Sequence, residues 1–452
     1  MKFKIDLQTR TDLQLFGEEN SIASIFQKTK TEGGRLIIRK LMETPTSDIT
    51  ELTERISSVM YIGKEKFGLN LNKRLFHDIH HYIEMGYPII KNTPSTILTV
   101  NLEYLVQPSS ELFNIHNGIL SIVQVFEWLK SKFAIISFQD CPNELKDRFE
   151  KSIAILDLKP INDLLTLASK KKLKLWHTLK YDHTLRKKYK AEILFLCDLI
   201  YQIDACETIS SVTKNRNFCF PTLIDTAQNT KSTIDIIGLF HPLIQDPVGN
   251  QIAFEGNKNL CLLSGPNMAG KSTFLKSYGI AIYLAHIGFP VPAREMRTTL
   301  FNGLSITINL SDNLNRGHSH FYSEVIRIKE VVNDIKVLGR MVIIFDELFR
   351  GTNIKDAFDG SVLLARKFAR LKHCKILLST HIIEVIEKLS DEKLNILLKY
   401  FDATIINYDL HFDYTLKDGY TDQRLGSQII EKEKIFEALT EIIETFEPIH
   451  EA

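Results

Sequence analysis

At 452 residues the chain is too long for one ordinary core, so two or three domains are expected. Its 44% hydrophobic and 25% charged residues exclude a disordered chain. With 56 basic against 55 acidic side chains, the net charge of +1 neither demands nor excludes nucleic acid, and only a local patch can argue for it. The cysteines at 141, 197, 206, 219, 261 and 374 form no CxxC pair, so neither zinc nor a disulfide framework is expected. The opening MKFKIDLQTRTDLQ has no apolar signal region, and no later run approaches the length of a membrane span. The expectation is a cytoplasmic protein with no membrane partner.

From about residue 50 to 215 apolar residues recur at three- and four-residue spacing, which predicts helices. YKAEILFLCDLIYQIDACETISSV, free of Gly and Pro, predicts one extended helix. Just before it, SKKKLKLWHTLKYDHTLRKKYK holds Lys170, Lys171, Lys172, Lys174, Lys180, Arg186, Lys187, Lys188 and Lys190 against the single acid Asp182. Trp176 and Tyr181 are interleaved with them. Basic side chains neutralise phosphates and aromatic rings stack on bases, so this is the candidate nucleic-acid surface; a solvated basic helix pair is the plainer reading.

The pattern changes near NRNFCFPTLID, and a domain boundary is placed near 215. Beyond it the apolar runs NLCLLSG, RMVIIFDE and CKILLSTH alternate with helical stretches, predicting a mostly parallel sheet covered on both faces. A last run, ATIINYDLHFDYTLKDG, alternates like an antiparallel ribbon and ends on the turn pair Asp418-Gly419.

The first of these runs leads into Gly265-Pro266-Asn267-Met268-Ala269-Gly270-Lys271-Ser272-Thr273. That string fits G-x-x-x-x-G-K-[ST] between a buried strand and a helix, the context a phosphate loop needs. Glycines let backbone N–H groups converge on phosphate oxygens at a helix N-terminus. Lys271 is expected on the β- and γ-phosphates of ATP and Ser272 on Mg²⁺. MVIIFDE ends in Asp346, a second metal ligand, and Glu347, the candidate general base. LLSTH ends in His381, which could touch the γ-phosphate. Three strand ends with this chemistry at one sheet edge predict an ATPase.

GPNM followed by AGKST resembles the phosphate loop of the MutS family of DNA mismatch-repair ATPases, within the ABC-type superfamily. AHIGFPVPA is similar to that family's A-x-x-G-x-x-VPA segment through Ala285, Gly288, Val291, Pro292 and Ala293. DELFRGTN and STH are similar to its D-E-x-x-R-G-T and A-T-H blocks, and His241, Pro242 and Asn250 match its H-P segment. In relatives that segment lies near the adenine, which implies Val248 as a packing residue for the base. LSDNLNRGHSHFYSEV resembles the segment that reaches the neighbouring subunit's ATP; Ser319, Phe321 and Glu324 match, while His318 and His320 replace an Arg and a Thr. Ser319 is thereby implied as a γ-phosphate contact across a dimer. Thr29, Thr31, Gly34, Arg35, Leu36, Leu41, Pro45 and Arg55 match the start of the family's helical core more sparsely.

The resemblance implies a multidomain protein: a mainly α-helical core/lever domain, 1–215, followed by an α/β ABC-type P-loop ATPase domain, 216–452. It further implies a homodimer with composite ATP sites, whose nucleotide state gates the grip of the helical arms on DNA. The match begins near residue 9, so neither a mismatch-reading domain nor a connector is expected. Phe16-Gly17-Glu18 is a chance echo of the mismatch-reading motif. The alternative is the same switch acting on RNA, a ribosome or a protein. A transporter ATPase is disfavoured because no LSGGQ-type signature precedes MVIIFDE, and a non-hydrolysing scaffold because Glu347 is present.

Overall fold

The computed structural model describes residues 2–107, 109–170, 173–225, 232–254, 257–308, 320–349, 351–392, 394–406, 409–421 and 434–446. The chain divides into two compact units. One holds Met1–Ile22, Pro45–Ile49 and Arg216–Ala452, the other Ala23–Thr44 and Thr50–Asn215. The first 22 residues therefore group with the C-terminal unit and not with the helices that follow them, which differs from a simple division at 215. The reason is local. β1 (Lys4–Ile5) adds as a parallel edge strand to the C-terminal sheet, and α1 (Leu7–Asp12) turns its polar side chains onto that sheet's edge. Thr9 Oγ1 accepts from Ile306 N at 2.9 Å and Asp12 Oδ2 from Ile308 N at 3.0 Å, satisfying N–H groups that an open edge leaves unpaired.

The helical unit is built from α2 (Glu32–Glu43), α3 (Ile49–Glu65), α4 (Lys73–Glu84), α5 (Pro94–Val106) and α6 (Ser110–Phe133). It continues with α7 (Asn143–Leu156), α8 (Lys159–Lys170), α9 (Leu175–His183), a π-helical turn Thr184–Lys188, and α10 (Lys190–Arg216). The 27-residue α10 is the extended helix expected from its unbroken apolar pattern, with Leu196, Leu199, Ile200 and Ile203 buried. It carries the N-terminus of α2. Asp204, buried on α10, accepts from Lys30 N, Thr31 N and Thr31 Oγ1 at 3.0, 2.7 and 2.6 Å. Gly33 permits the approach, since a Cβ there would lie 2.2 Å from the Tyr201 ring.

In the other unit the strands are β2 (Thr222–Ile224), β3 (Ile234–Leu239), β4 (Asn250–Ala253), β5 (Leu260–Ser264), β6 (Glu295–Thr299), β7 (Gly303–Thr307) and β8 (Met341–Asp346). They are followed by β9 (Lys375–Ser379), β10 (Ile396–Tyr400), β11 (Thr404–Ile406), β12 (Asp409–His411) and β13 (Lys417–Asp418). The main sheet has the order β1-β7-β8-β9-β5-β10-β13 and is parallel except for β13. Its helices are α11 (Lys271–Ala285), α12 (His320–Leu338), α13 (Ile354–Phe368) and α14 (Ile383–Asp391), with α15 (Ile435–Phe446) near the C-terminus.

Both faces of the sheet are covered, which is why its strands read as continuous apolar runs. Ile343 and Phe345 of β8 belong to the core shared with α12, α13 and α14. On the opposite face α11 packs so closely that a Cβ at Gly279 would meet Ile306 Cδ1 at 2.3 Å. A second sheet, β2-β6-β3-β4, is not signalled by any long apolar run. β11 and β12 pair antiparallel, whereas β13, which ends at Asp418, pairs antiparallel with β10, so the expected single ribbon is divided between two sheets. Among the described residues no helix is long and apolar enough to cross a membrane.

Candidate functional site

Because the five central strands are parallel, the carboxyl ends of β5, β8 and β9 lie at one edge, the usual ligand edge of an open α/β sheet. The chain leaves β5 through Gly265 at φ +137°, where a Cβ would lie 2.6 Å from Phe401 O. Met268 and Gly270 also have positive φ, and α11 begins at Lys271. A strand, a tight turn and a helix N-terminus with free N–H groups are thus laid end to end.

Lys271 is buried. Its ammonium donates to Gly265 O at 2.6 Å and Pro266 O at 3.2 Å and lies 3.4 Å from Glu347 Oε1. Ser272 Oγ donates to Asp346 Oδ2 at 2.5 Å. Register places Asp346 opposite Ser379, whose hydroxyl donates to Asp346 Oδ1. The same Ser379 accepts from Glu347 N through Oγ at 3.0 Å and through its carbonyl at 3.2 Å. Those bonds hold Glu347 at φ +52°, an unusual conformation for a non-glycine residue at a strand end. His381 Nδ1 lies 3.6 Å from Glu347 Oε2, with its side chain 57% exposed. Lys271, Ser272, Asp346, Glu347 and His381 are therefore brought together at one sheet edge. Ser319 lies outside the described residues.

A cavity of about 560 Å³ opens beside the loop. Pro266, Asn267, Met268, Gly270, Lys271, Ser272, Thr273 and Glu347 line its phosphate-loop end. Ala269 is wholly buried and does not line it. Val248, Ile244, His241, Phe401 and Tyr414 line it too, Phe401 against Gly265 and Tyr414 against Gly270. Burial, with the nearby charge of Lys276, pushes His241 down to about 4, so the imidazole is neutral near pH 7. Asn250 pins Tyr414 in place: its Nδ2 donates to Tyr414 O at 3.0 Å and its Oδ1 accepts from Leu416 N at 2.6 Å. Sequence reading did not single out Tyr414, Phe401 or Ser379. Only Ser379 carried a signal, as the strand end two residues before His381.

The basic stretch divides. Lys170, Lys174, Lys180, Lys187 and Lys188 are exposed, as is Trp176, with the Lys180 ammonium 4.6 Å from its ring centroid. Lys171 and Lys172 lie outside the described residues. Arg186 is not a surface group. It forms a two-toothed pair with Asp182 (2.7 and 2.6 Å) and donates to Tyr87 O and Pro88 O at 3.0 and 3.2 Å. The two side chains are 3% and 0% exposed, and Tyr82 Oη and Ile90 N also donate to Asp182. The single acid of the stretch selected this arginine: four residues apart on helical backbone, they meet and are buried together.

Residues 261–448 match the family model for MutS domain V. The chain is 27% identical over 287 residues to the DNA mismatch repair protein MutS of Petrotoga mobilis, covering 61% of this chain and 33% of that protein. It is 31% identical over 294 residues to the protein of the same name from Lawsonia intracellularis, covering 60% and 31%. For the one from Lactococcus lactis subsp. lactis the identity is 30% over 268 residues, covering 56% and 30%. The chain thus spans about a third of the length of these relatives. A parallel sheet with its phosphate loop, acidic strand end and His381 at one edge agrees with the matched segment, and residues 261–448 are a MutS domain V, an ABC-type ATPase domain.

Proposed function

We propose that this chain is a homodimeric, ATP-hydrolysing machine in which the nucleotide gates the grip of the helical residues up to 215 on DNA. The observation that carries the hydrolytic part is the meeting of Lys271, Ser272, Asp346 and Glu347 within hydrogen-bond or ion-pair reach at one sheet edge. ATP would lie with its phosphates along Gly265–Thr273 and its base toward Val248 and Tyr414. Ser272 Oγ and Asp346 Oδ2 are hard oxygen donors already in contact, the donor set that suits Mg²⁺. Bound there, the ion would neutralise charge on the phosphate oxygens.

Glu347 would take the proton of the attacking water. Its backbone is fixed by Ser379, so little reorganisation is needed to aim the carboxylate. Lys271 would stabilise charge on the β- and γ-phosphates, and His381 would contact the γ-phosphate. Ser319 of a second copy would complete the site, so loss of the γ-phosphate would loosen the dimer. The apolar face of α15 supports pairing: Ile435, Phe436, Leu439, Ile442 and Ile443 are 45–58% exposed.

DNA is favoured as the partner by the exposed lysines Lys170, Lys174, Lys187 and Lys188 around Trp176, and by the similarity to DNA mismatch repair proteins. The deciding experiment is Glu347→Gln. It should bind ATP normally and lower turnover by at least about 100-fold, the low end of general-base contributions. It should also hold the ATP-bound dimer longer in sedimentation. Undiminished turnover removes Glu347 from the base role. A failure of the wild type to bind any DNA at low salt moves the partner to RNA, a ribosome or a protein.

A further inference from the structure

A second cavity, of about 320 Å³, lies within the helical unit between the end of α3 and the last turns of α10. It has no part in the nucleotide chemistry. Four lysines line it: Lys28, Lys30, Lys66 and Lys214. Two acids, Asp204 and Glu207, are the only carboxylates among its lining residues.

Both acids are already committed to backbone. Asp204 accepts from Lys30 N, Thr31 N and Thr31 Oγ1. Glu207 accepts from Gly68 N at 2.5 Å and Leu69 N at 3.3 Å. Lys30 donates to Leu69 O at 2.5 Å. No ion pair is found for Lys28, Lys66 or Lys214 among the described residues. Hydrogen bonds to neutral N–H groups leave Asp204 and Glu207 charged, so four lysines against two carboxylates give the lining an excess of two positive charges. All four lysines are exposed, and an excess of like charge lining one concavity attracts an anion.

The recess is built into the backbone. Gly63 lets α3 and α10 approach to form its floor, because a Cβ there would lie 1.9 Å from Ser210 Oγ. Lys66 follows the last residue of α3 at φ +50°, a position where glycine or asparagine is usual, and its N–H closes the helix on Ile62 O at 3.1 Å. A lysine in that left-handed cap directs its side chain off the helix axis, and the side chain lines the cavity.

The geometry points to a phosphate-binding site in the helical unit, formed by Lys28, Lys30, Lys66 and Lys214. It takes a phosphate-bearing group of the size of an oligophosphate. The reading is independent of the nucleotide site, and phosphate can come from a free oligophosphate or from a nucleic-acid backbone.

The test uses the full chain carrying Lys271→Ala, so that the P-loop does not compete. Binding of inorganic tripolyphosphate and of a short duplex DNA is measured by calorimetry over a range of salt. The combined change Lys28→Ala, Lys66→Ala, Lys214→Ala should weaken tripolyphosphate binding at least about tenfold, as expected for losing several charge-assisted contacts. The matching arginine substitutions should retain it. If tripolyphosphate does not bind but the alanine variant loses duplex affinity and its salt slope falls by about three, the source is backbone phosphate and the site stands. Equal binding of both ligands by the parent and the alanine variant, with unchanged melting curves, overturns it.

Discussion

Ser379 and Asp346 face each other across the parallel pair β8–β9, and the serine hydroxyl donates to the carboxylate oxygen that Ser272 leaves untouched. Each oxygen of Asp346 is thereby oriented by a different hydroxyl, one from the phosphate loop and one from the neighbouring strand. Ser379 also fixes Glu347 through its N–H. One small side chain positions both acids of the strand end.

Removing that hydroxyl should misplace the acids without unfolding the sheet. Ser379→Ala is expected to lower ATP turnover by about 10–100-fold, the range seen when a metal ligand loses its orienting partner. The Mg²⁺ concentration needed for half-maximal rate should rise, with the KM for ATP changing less than kcat. Ser379→Thr keeps the hydroxyl and should restore most of the rate. Titrating Mg²⁺ in steady-state assays of the two variants separates this role from a general loss of packing.

Arg186 and its neighbours Lys187 and Lys188 should behave oppositely despite their shared charge. Arg186→Ala leaves Asp182 charged and buried, a loss of roughly 3–5 kcal/mol in stability. Lys187→Ala and Lys188→Ala change exposed groups and should move stability by less than about 0.5 kcal/mol while weakening DNA binding at low salt. Denaturant titration and fluorescence anisotropy on the same samples read both quantities.

Acid should destabilise the ATPase unit through His286. This fully buried ring contacts Ile282 O through Nδ1 at 2.7 Å and accepts from Phe301 N through Nε2 at 2.9 Å. Burial depresses it to about 4, with the two backbone contacts opposing that shift. Between about 4 and the ordinary value of 6.5 the unfolded chain binds a proton that the folded chain does not. The stabilisation is therefore complete above pH 6.5 and is lost progressively as pH falls toward 4, by about 3 kcal/mol. Unfolding free energies measured at pH 7 and near pH 4 should differ less in His286→Gln than in the wild type.

Much of the ATPase unit was legible because its chemistry is local. A phosphate loop is a contiguous string whose glycines and Lys-Ser pair report their own purpose, and a strand buried on both faces announces itself as an apolar run. The helices from 50 to 215 were legible for a similar reason, since their apolar periodicity is contained within each segment. Tyr414, Phe401 and Ser379 were not, because what makes them part of the site is proximity to Gly265–Thr273 and Asp346 through chain crossovers.

Residues 1–22 show the same limit. The resemblance assigns them to the helical domain, and only the tertiary structure sends β1 and α1 to the edge of the distant β7. In the basic stretch, identity alone could not separate Arg186 from Lys187. The sequence by itself determined the ATPase chemistry and the two kinds of architecture. The tertiary structure decided which charges face solvent, which are consumed inside, and that four lysines from distant segments share one recess. The physical reason is that a contiguous motif carries its neighbours with it, whereas burial and charge pairing depend on surfaces that meet only when the chain has folded.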